Sequence, residues 1–195
     1  MIRLCDIVFS LFGLLLLLPL FAVVALCIVI DDPGPVFYRQ LRVGRNGVDF
    51  HLLKFRSMRV GADKMSLITV GERDPRITRV GYYIRKYKLD ELPQLWNVLV
   101  GDMSLVGPRP EVLRYVDTYT PEQRRVLSVR PGITDYASIE YIDENALLDQ
   151  SDNPDQTYIL QIIPAKIALN MRYINHRTLG EYFRIILLTI VKIVR

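Results

Sequence analysis

The chain has 195 residues, enough for one domain of ordinary size. Half of them are hydrophobic although 24% are charged, too apolar for an ordinary soluble protein, and the excess sits at the two ends. A net charge of +4 points to an anionic partner: nucleic acid, a phosphate-bearing substrate or a lipid surface.

Charge is also segregated. Val36–Val60 holds six Lys or Arg against one acid, whereas Pro131–Ala165 holds seven acids and no Lys or Arg. Cys5 and Cys27 lie in the apolar N-terminus and read as buried thiols, not as a disulfide or metal site.

Ile7–Ile30 carries no charged residue. As a helix it is ~36 Å long, against a hydrocarbon core of ~30 Å. A secretory signal would have an apolar region of ~7–15 residues before a small-residue cleavage site. This run is longer and ends in Asp31-Asp32-Pro33-Gly34-Pro35, so it reads as a retained membrane segment. Arg3 precedes it and Arg39, Arg42 and Arg45 follow, which puts its C-terminal side in the cytoplasm. Pro19 kinks the run, leaving two topologies: a simple span, or a Pro-broken re-entrant helix whose N-terminus returns to the cytoplasm.

Val36–Met58 predicts two short strands around a turn at Gly44–Gly47, a basic hairpin next to the membrane that suits lipid headgroups. His51 has no nearby metal-ligand partner and is structural. Gly61–Glu72 reads as loop or short helix. Asp74–Val80 leads through Gly81 into a helix carrying Arg85. Pro93 falls in the first turn of the next helix, which holds Gln94, Trp96 and Asn97, with Asp90 near its N-terminus. Gly101-Asp102 ends that helix, and Gly107-Pro108-Arg109-Pro110 is a rigid turn presenting one guanidinium. Thr120, Pro121 and Gln123 form a capping box. Arg130-Pro131-Gly132 is another fixed turn, the acidic stretch to Asp155 is solvated loop and short helix, and Pro164 opens a helix through Ala165–Tyr173. In Glu181–Arg195, Glu181, Arg184, Thr189, Lys192 and Arg195 share one polar arc of an otherwise apolar helix, the pattern of a helix lying in the membrane interface, with packing on the globular core as the other reading.

An isolated Asp90-Glu91 pair reads as an ordinary helix start, where acids complement the dipole. Here it follows Arg85, Lys86 and Lys88 and precedes the Gly-Pro-Arg-Pro turn. No Ser-His-Asp set, Cys-His pair, Walker loop or dinucleotide fingerprint accompanies it. Phosphate chemistry fits best: arginine forks bind phosphate oxygens, and paired acids hold Mg²⁺ or attack phosphorus. The nearby positive charge is expected to keep the carboxylate ionised by lowering its pKa.

Three segments carry a resemblance: P-V-F-Y-R-Q-L-R-V-G-R-N-G-V-D-F-H-L-L-K-F-R-S-M, L-D-E-L-P-Q-L-W-N-V-L-V-G-D-M-S-L-V-G-P-R-P and V-R-P-G-I-T. They are similar to the bacterial sugar transferase family, the monotopic polyprenyl-phosphate phosphoglycosyl transferases, in their small, catalytic-domain-only form. The resemblance implies an α+β, mainly helical fold. A re-entrant membrane helix (1–35) would precede a cytoplasmic catalytic domain (36–195) with a small β-hairpin and an interfacial helix (181–195). It implies transfer of a sugar-1-phosphate from a UDP-sugar to undecaprenyl phosphate at the cytoplasmic face of the bacterial inner membrane. Asp90 would be the nucleophile that forms a covalent phosphosugar intermediate, and Glu91 would share a Mg²⁺ site with it. By position in the motifs, Arg85, Arg109, Arg130, Lys54 and Arg56 are expected to contact phosphate, with Gln94, Asn97 and Asp102 supporting the site. No nucleic-acid partner is expected, and a homodimer is left open. The competing class is a membrane-anchored protein that binds anionic lipid or nucleic acid without catalysis; a phosphohydrolase is a third reading. Two departures stand out. Lys88 replaces the usual Ser or Thr before L-D-E, and Asp135-Tyr136-Ala137-Ser138 replaces G-W-A-Q, which points to a subfamily with a different donor.

Overall fold

The computed structural model describes residues 1–62, 74–141, 147–148 and 151–194, the side chains of 193 and 194 excepted. Most of the Gly61–Glu72 segment, part of the acidic stretch and Arg195 therefore lie outside the described residues. The fold is α+β and mainly helical, as expected. In order come α1 (Ile2–Asp31), β1 (Phe37–Val43), β2 (Asp49–Phe55), α2 (Arg79–Lys86), α3 (Gln94–Val100) and β3 (Ser104–Val106). They are followed by α4 (Leu113–Val116), β4 (Gly132–Thr134), α5 (Tyr136–Glu140), α6 (Pro154–Thr157), α7 (Ile163–Asn175) and α8 (Leu179–Val194).

Among the described residues α1 alone is long and apolar enough to cross a membrane, and only 11% of its most apolar window is buried. A core helix would be mostly buried; this one is exposed and apolar, as a lipid-facing helix is. It is a single helical element that contains Pro19. It starts five residues earlier than the apolar run, because the two charges in its first turns are satisfied by the rest of the protein. Arg3 donates to the carbonyls of Val98 (2.5 Å) and Leu99 (2.8 Å) at the end of α3. Asp6, 1% exposed, accepts from the Ser104 and Tyr182 hydroxyls (both 2.9 Å) and the Leu105 N–H (3.0 Å). At the other end Asp31 accepts from Val80 N–H (2.8 Å), and Arg56 pairs with Asp32. Asp6, Ser10, Val24 and Ile28 are buried along one stripe, and Gly13 lies against Leu95. Both ends of α1 thus rest on the same body, while Phe12, Leu15, Leu16, Leu26 and Ile30 stay exposed. Cys5 is partly buried, but Cys27 is on the exposed face, contrary to the buried thiol expected there. An apolar bilayer face tolerates it as a small hydrophobe.

The basic hairpin forms as predicted: β1 and β2 pair antiparallel from Phe37↔Phe55 to Val43↔Asp49. Its turn needs left-handed backbone at Asn46 and Gly47, which Asn and Gly supply at low cost. The second sheet is not evident in the sequence. β3 and β4 pair in parallel through Ser104↔Gly132 and Val106↔Thr134, which brings the two Gly-Pro turns together. A Cβ on Gly132 would stand 2.1 Å from Gly107 N, so only glycine permits that crossing.

Two helix boundaries differ from expectation. The capping box forms, with Thr120 N–H donating to Gln123 Oε1 (2.9 Å) and Gln123 N–H to Thr120 Oγ1 (3.3 Å), but it opens a 3₁₀ segment, Gln123–Ser128. Pro164 stands in the first turn of α7, as expected, but the helical path does not begin there. The helical path starts at α6, capped by Asn153 (Gln156 N–H, 3.2 Å), and passes through a π turn, Tyr158–Ile162, before α7. That wider turn accommodates the missing N–H of Pro164. One core cluster packs Val43, Tyr115, Val116 and Val126 against Ile163 and Ile167, and a separate one, with Tyr173, Tyr182 and Ile185, joins α7 to α8. Each large side chain fully buried there contributes roughly 1.5–3 kcal/mol.

α8 lies as the sequence suggests on its apolar side, exposing Phe183, Leu187, Leu188, Ile190 and Val191, with Phe9 of α1 edge-on to Phe183. Its polar arc, however, is partly turned inward. Glu181 accepts from the Tyr136 hydroxyl, and the Thr189 and Thr134 hydroxyls meet at 2.6 Å. α8 therefore belongs to the body as well as to its lipid-facing side.

Candidate active site

The acid pair sits on a tight turn. Lys88 adopts left-handed backbone (φ 56°), uncommon for a residue with a side chain. It starts a 3₁₀ turn, Leu89–Glu91, that runs through Pro93 into α3. The turn faces β2 on one side and the Gly107–Pro110 loop on the other. A cavity of about 520 Å³ opens beside it, within the range of small-molecule sites. Lys54, Arg85, Lys88, Asp90, Glu91 and Arg109 line its polar side.

The two acids are treated differently. Glu91 is held by Arg109 through both terminal nitrogens (3.1 Å for Nη1–Oε2) and by Lys54 (3.4 Å). Burial alone would raise its pKa, but the charges of Arg109 and Lys54 and the Arg109 hydrogen bonds outweigh it, so Glu91 is held far below the usual carboxylate range. Its charge in turn raises the Arg109 pKa. Asp90 is 6% exposed, and its Oδ1 has no hydrogen-bond partner among the described residues. Burial pushes its carboxyl above the ordinary value, against the pull of Lys54, with Glu91 adding to the rise. This reverses the expected direction: positive charge is present, but it is spent mainly on Glu91. Burial likewise lowers the Lys54 pKa.

The surrounding chain fixes these groups. Asn97 accepts from Leu53 N–H (2.9 Å) and donates to the His51 carbonyl (2.8 Å) and to Asp102 (3.2 Å), which ties α3 to the strand carrying Lys54. Asp135, 1% exposed, caps α5 through Ser138 N–H (2.5 Å) and accepts from the backbone N–H of Arg109 (2.8 Å). The departure from G-W-A-Q thus anchors the arginine loop.

Of the sequence-predicted residues, Lys54, Arg85, Asp90, Glu91 and Arg109 come together around the cavity. Arg56 and Arg130 do not line it. Arg56 pairs with Asp32 where α1 ends, and Arg130 donates to the Gly101 carbonyl (2.8 Å) at the end of α3. Gln94 is buried, with Nε2 unpartnered among the described residues, and Asn97 and Asp102 sit one layer behind the cavity. Sequence reasoning missed Asp135 as a brace, although its place three residues before Ser138 is a cap signature. It also missed the wall that α8 supplies through Ile186, Thr189, Ile190 and Lys192.

An acid pair among fixed cations, on a body whose longest helix is apolar and exposed, is the arrangement of a membrane-associated protein. The whole chain, residues 1–195, matches the bacterial sugar transferase family, and the protein belongs to that family. A Bacillus subtilis (strain 168) relative is 50% identical over 109 residues, covering 56% of this chain and 61% of its own length. The UDP-N-acetylgalactosamine-undecaprenyl-phosphate N-acetylgalactosaminephosphotransferase of Aeromonas hydrophila is 42% identical over 69% of this chain and 32% of its own. The exopolysaccharide production protein PSS of Rhizobium leguminosarum bv. phaseoli is 37% identical over 97% of this chain and 92% of its own. Of three further relatives the chain spans between 37% and 41%.

Proposed function

We propose that the protein transfers a sugar-1-phosphate from a UDP-sugar to undecaprenyl phosphate, at the cytoplasmic face of the bacterial inner membrane. The observation that carries this reading is the buried oxygen of Asp90, unpartnered among the described residues, beside a Glu91 already neutralised by Arg109 and Lys54. An unsatisfied buried carboxylate costs stability, roughly 1–3 kcal/mol or more, and persists where it serves chemistry. The names of relatives supply donor and acceptor: the Aeromonas protein is named for UDP-N-acetylgalactosamine and undecaprenyl phosphate. The return of both ends of α1 to one body agrees with a membrane segment that enters and leaves on the cytoplasmic side.

In the proposed mechanism Asp90 attacks the sugar-bearing phosphorus. A carboxylate–phosphorus bond forms, the bond to the bridging oxygen breaks, and UMP leaves with that oxygen. A phosphate oxygen of the lipid then attacks the same phosphorus and returns the Asp90 carboxylate. The covalent step lets a water-soluble donor and a lipid acceptor use one site in turn. Arg85, Arg109 and Lys54 face the space where the diphosphate charge would lie.

The family also implies Mg²⁺. Among the described residues no three His, Cys, Asp or Glu gather to hold a metal. Mg²⁺ needs only one or two carboxylates beside substrate phosphates and water, so the free Asp90 oxygen fits it. Glu91 would join only by sharing oxygens with Arg109 and Lys54. Bound there, the ion would neutralise the diphosphate of the donor.

The test is UMP release across a panel of UDP-sugars with undecaprenyl phosphate, with intact-mass analysis for a phosphosugar adduct on the protein. UMP release and an adduct lost in Asp90→Asn are expected. Inorganic phosphate release without a lipid acceptor would instead establish a phosphohydrolase.

A further inference from the structure

The cavity beside Asp90 is not polar throughout, and this carries an inference that rests on the transferase reading. Besides the acid pair and its cations, its lining includes Leu92 and Leu95 from the α3 side and Ile186, Thr189, Ile190 and Lys192 from α8. Of the two proposed substrates, the polyprenyl chain is the one with a long apolar surface to match it. We propose that the slot between α3 and α8 seats the acceptor, a polyprenyl phosphate, with its phosphate between the polar floor and Lys192 and its first isoprene units against Leu95, Ile186 and Ile190.

Three observations converge on this occupant. First, the slot is continuous with the lipid-facing surface. Leu95 lies against α1 where Gly13 has no side chain; a Cβ there would stand 3.1 Å from Leu95 Cδ1. Ile190 both lines the cavity and is 54% exposed, and Leu187 and Val191 continue its face outward. A lipid can therefore enter along the bilayer edge, without drawing its tail through water at ~0.8 kcal/mol per CH₂. Second, charge complements the headgroup. Lys192 on α8 and Lys88 on the acid turn are both exposed and both line the cavity, two cations from different elements. Third, the wall is fixed, not incidental: the Thr189 hydroxyl of α8 meets that of Thr134 in β4 at 2.6 Å, and Thr134 directly precedes Asp135, the cap of α5.

The experiment uses the full chain in nanodiscs, the best donor from the UDP-sugar panel, and a titration of undecaprenyl phosphate. Lys192→Ala and Ile190→Asp are expected to raise the KM for the lipid, relative to the KM for the donor, by about tenfold, the scale of one good interaction. Lys192→Arg should restore most of it. Both positions are exposed, so the fold tolerates the changes; matched thermal midpoints check this. Unchanged lipid KM in both variants, or an equal rise for donor and lipid, overturns the acceptor seat. A wild-type protein that releases no UMP from any donor overturns the transferase reading with it. A wild-type UMP burst without lipid, combined with an unmoved lipid KM in the variants, overturns the seat alone.

Discussion

Arg109 grips Glu91 with both ends of its guanidinium, while Asp90, the next residue back, keeps a buried oxygen with no partner among the described residues. Neighbours in sequence thus stand in opposite electrostatic environments, one held charged and the other raised by burial. Pairs of acids driven apart in this way divide chemical roles. Glu91 is tied to the arginine loop, and in the proposed mechanism Asp90 carries the reactivity.

Asp90→Asn should therefore separate activity from stability. UMP release should fall by roughly 10³-fold or more, as expected for a nucleophile. The same change removes a mostly buried charge with one oxygen unpartnered among the described residues, where burial outweighs the pull of Lys54, so the thermal midpoint should rise, by about 0.5–2 kcal/mol in stability. Wild-type activity in the variant would refute the assignment. A drop in midpoint with activity abolished would mean that Asp90 is structural.

The raised Asp90 pKa also fixes a pH dependence. The nucleophile must be ionised, so kcat/KM should fall on acidification at a higher pH than an ordinary carboxylate, pKa ~3.9, would give. Lys54 opposes that rise. Lys54→Met removes the opposing charge, pushes the Asp90 pKa further up and should move the acid limb to higher pH. A shift to lower pH, or none, would show that Lys54 does not act on Asp90.

Arg109→Lys keeps the charge but not the two-pronged grip. Removing one charge-assisted hydrogen bond should cost 10- to 100-fold in kcat/KM, on the order of 1.5–3 kcal/mol. Steady-state kinetics with donor and lipid varied in turn measures it. Activity within twofold of wild type would mean that a point charge suffices.

Much of this was legible in the chain, and the part that was not has a physical reason. The apolar run, the basic hairpin and the acid turn are local patterns, so charge, alternation and Gly-Pro punctuation reveal them. The parallel pairing of β3 with β4 joins Ser104 to Gly132, and no local period records it. Arg130 and Arg56 looked as suited to phosphate as Arg109, because a sequence shows a guanidinium but not the Gly101 carbonyl or Asp32 beside it. The Asp90 pKa was misjudged for the same reason: nearby cations are countable, but burial and the diversion of those cations to Glu91 are tertiary facts. Thr189 and Lys192 belong to the polar arc of an interfacial pattern, and such an arc does not say whether water, lipid or a cavity meets it.

Gly132→Ala tests the unforeseen sheet. The new Cβ would meet Gly107 backbone at 2.1 Å (N) and 2.5 Å (O), atoms that cannot swing aside like a side chain. The strands must part, at a cost at or above the ~1–3 kcal/mol typical of overpacking. Because Arg109 hangs from the loop that leaves β3, thermal midpoint and UMP release should fall together. A stable, fully active variant would show that the strands tolerate a wider crossing.

Asp6 offers the sharpest test of how α1 is held. Its carboxylate accepts from Ser104, Leu105 and Tyr182, three donors from β3 and α8, at 2.9–3.0 Å. Asparagine keeps the shape but halves the acceptor capacity, and places an NH₂ against groups that are themselves donors. Breaking a buried charge-assisted hydrogen bond in this way costs about 1.5–3 kcal/mol. The first turns of α1 should then open from the body, although Arg3 still reaches the end of α3. Cys5, one residue away and partly buried, is a native reporter. In a Cys27→Ser background, Asp6→Asn should speed maleimide labelling of Cys5 several-fold and lower the thermal midpoint. Unchanged Cys5 labelling would mean that Arg3 and the apolar stripe hold the N-terminus without Asp6.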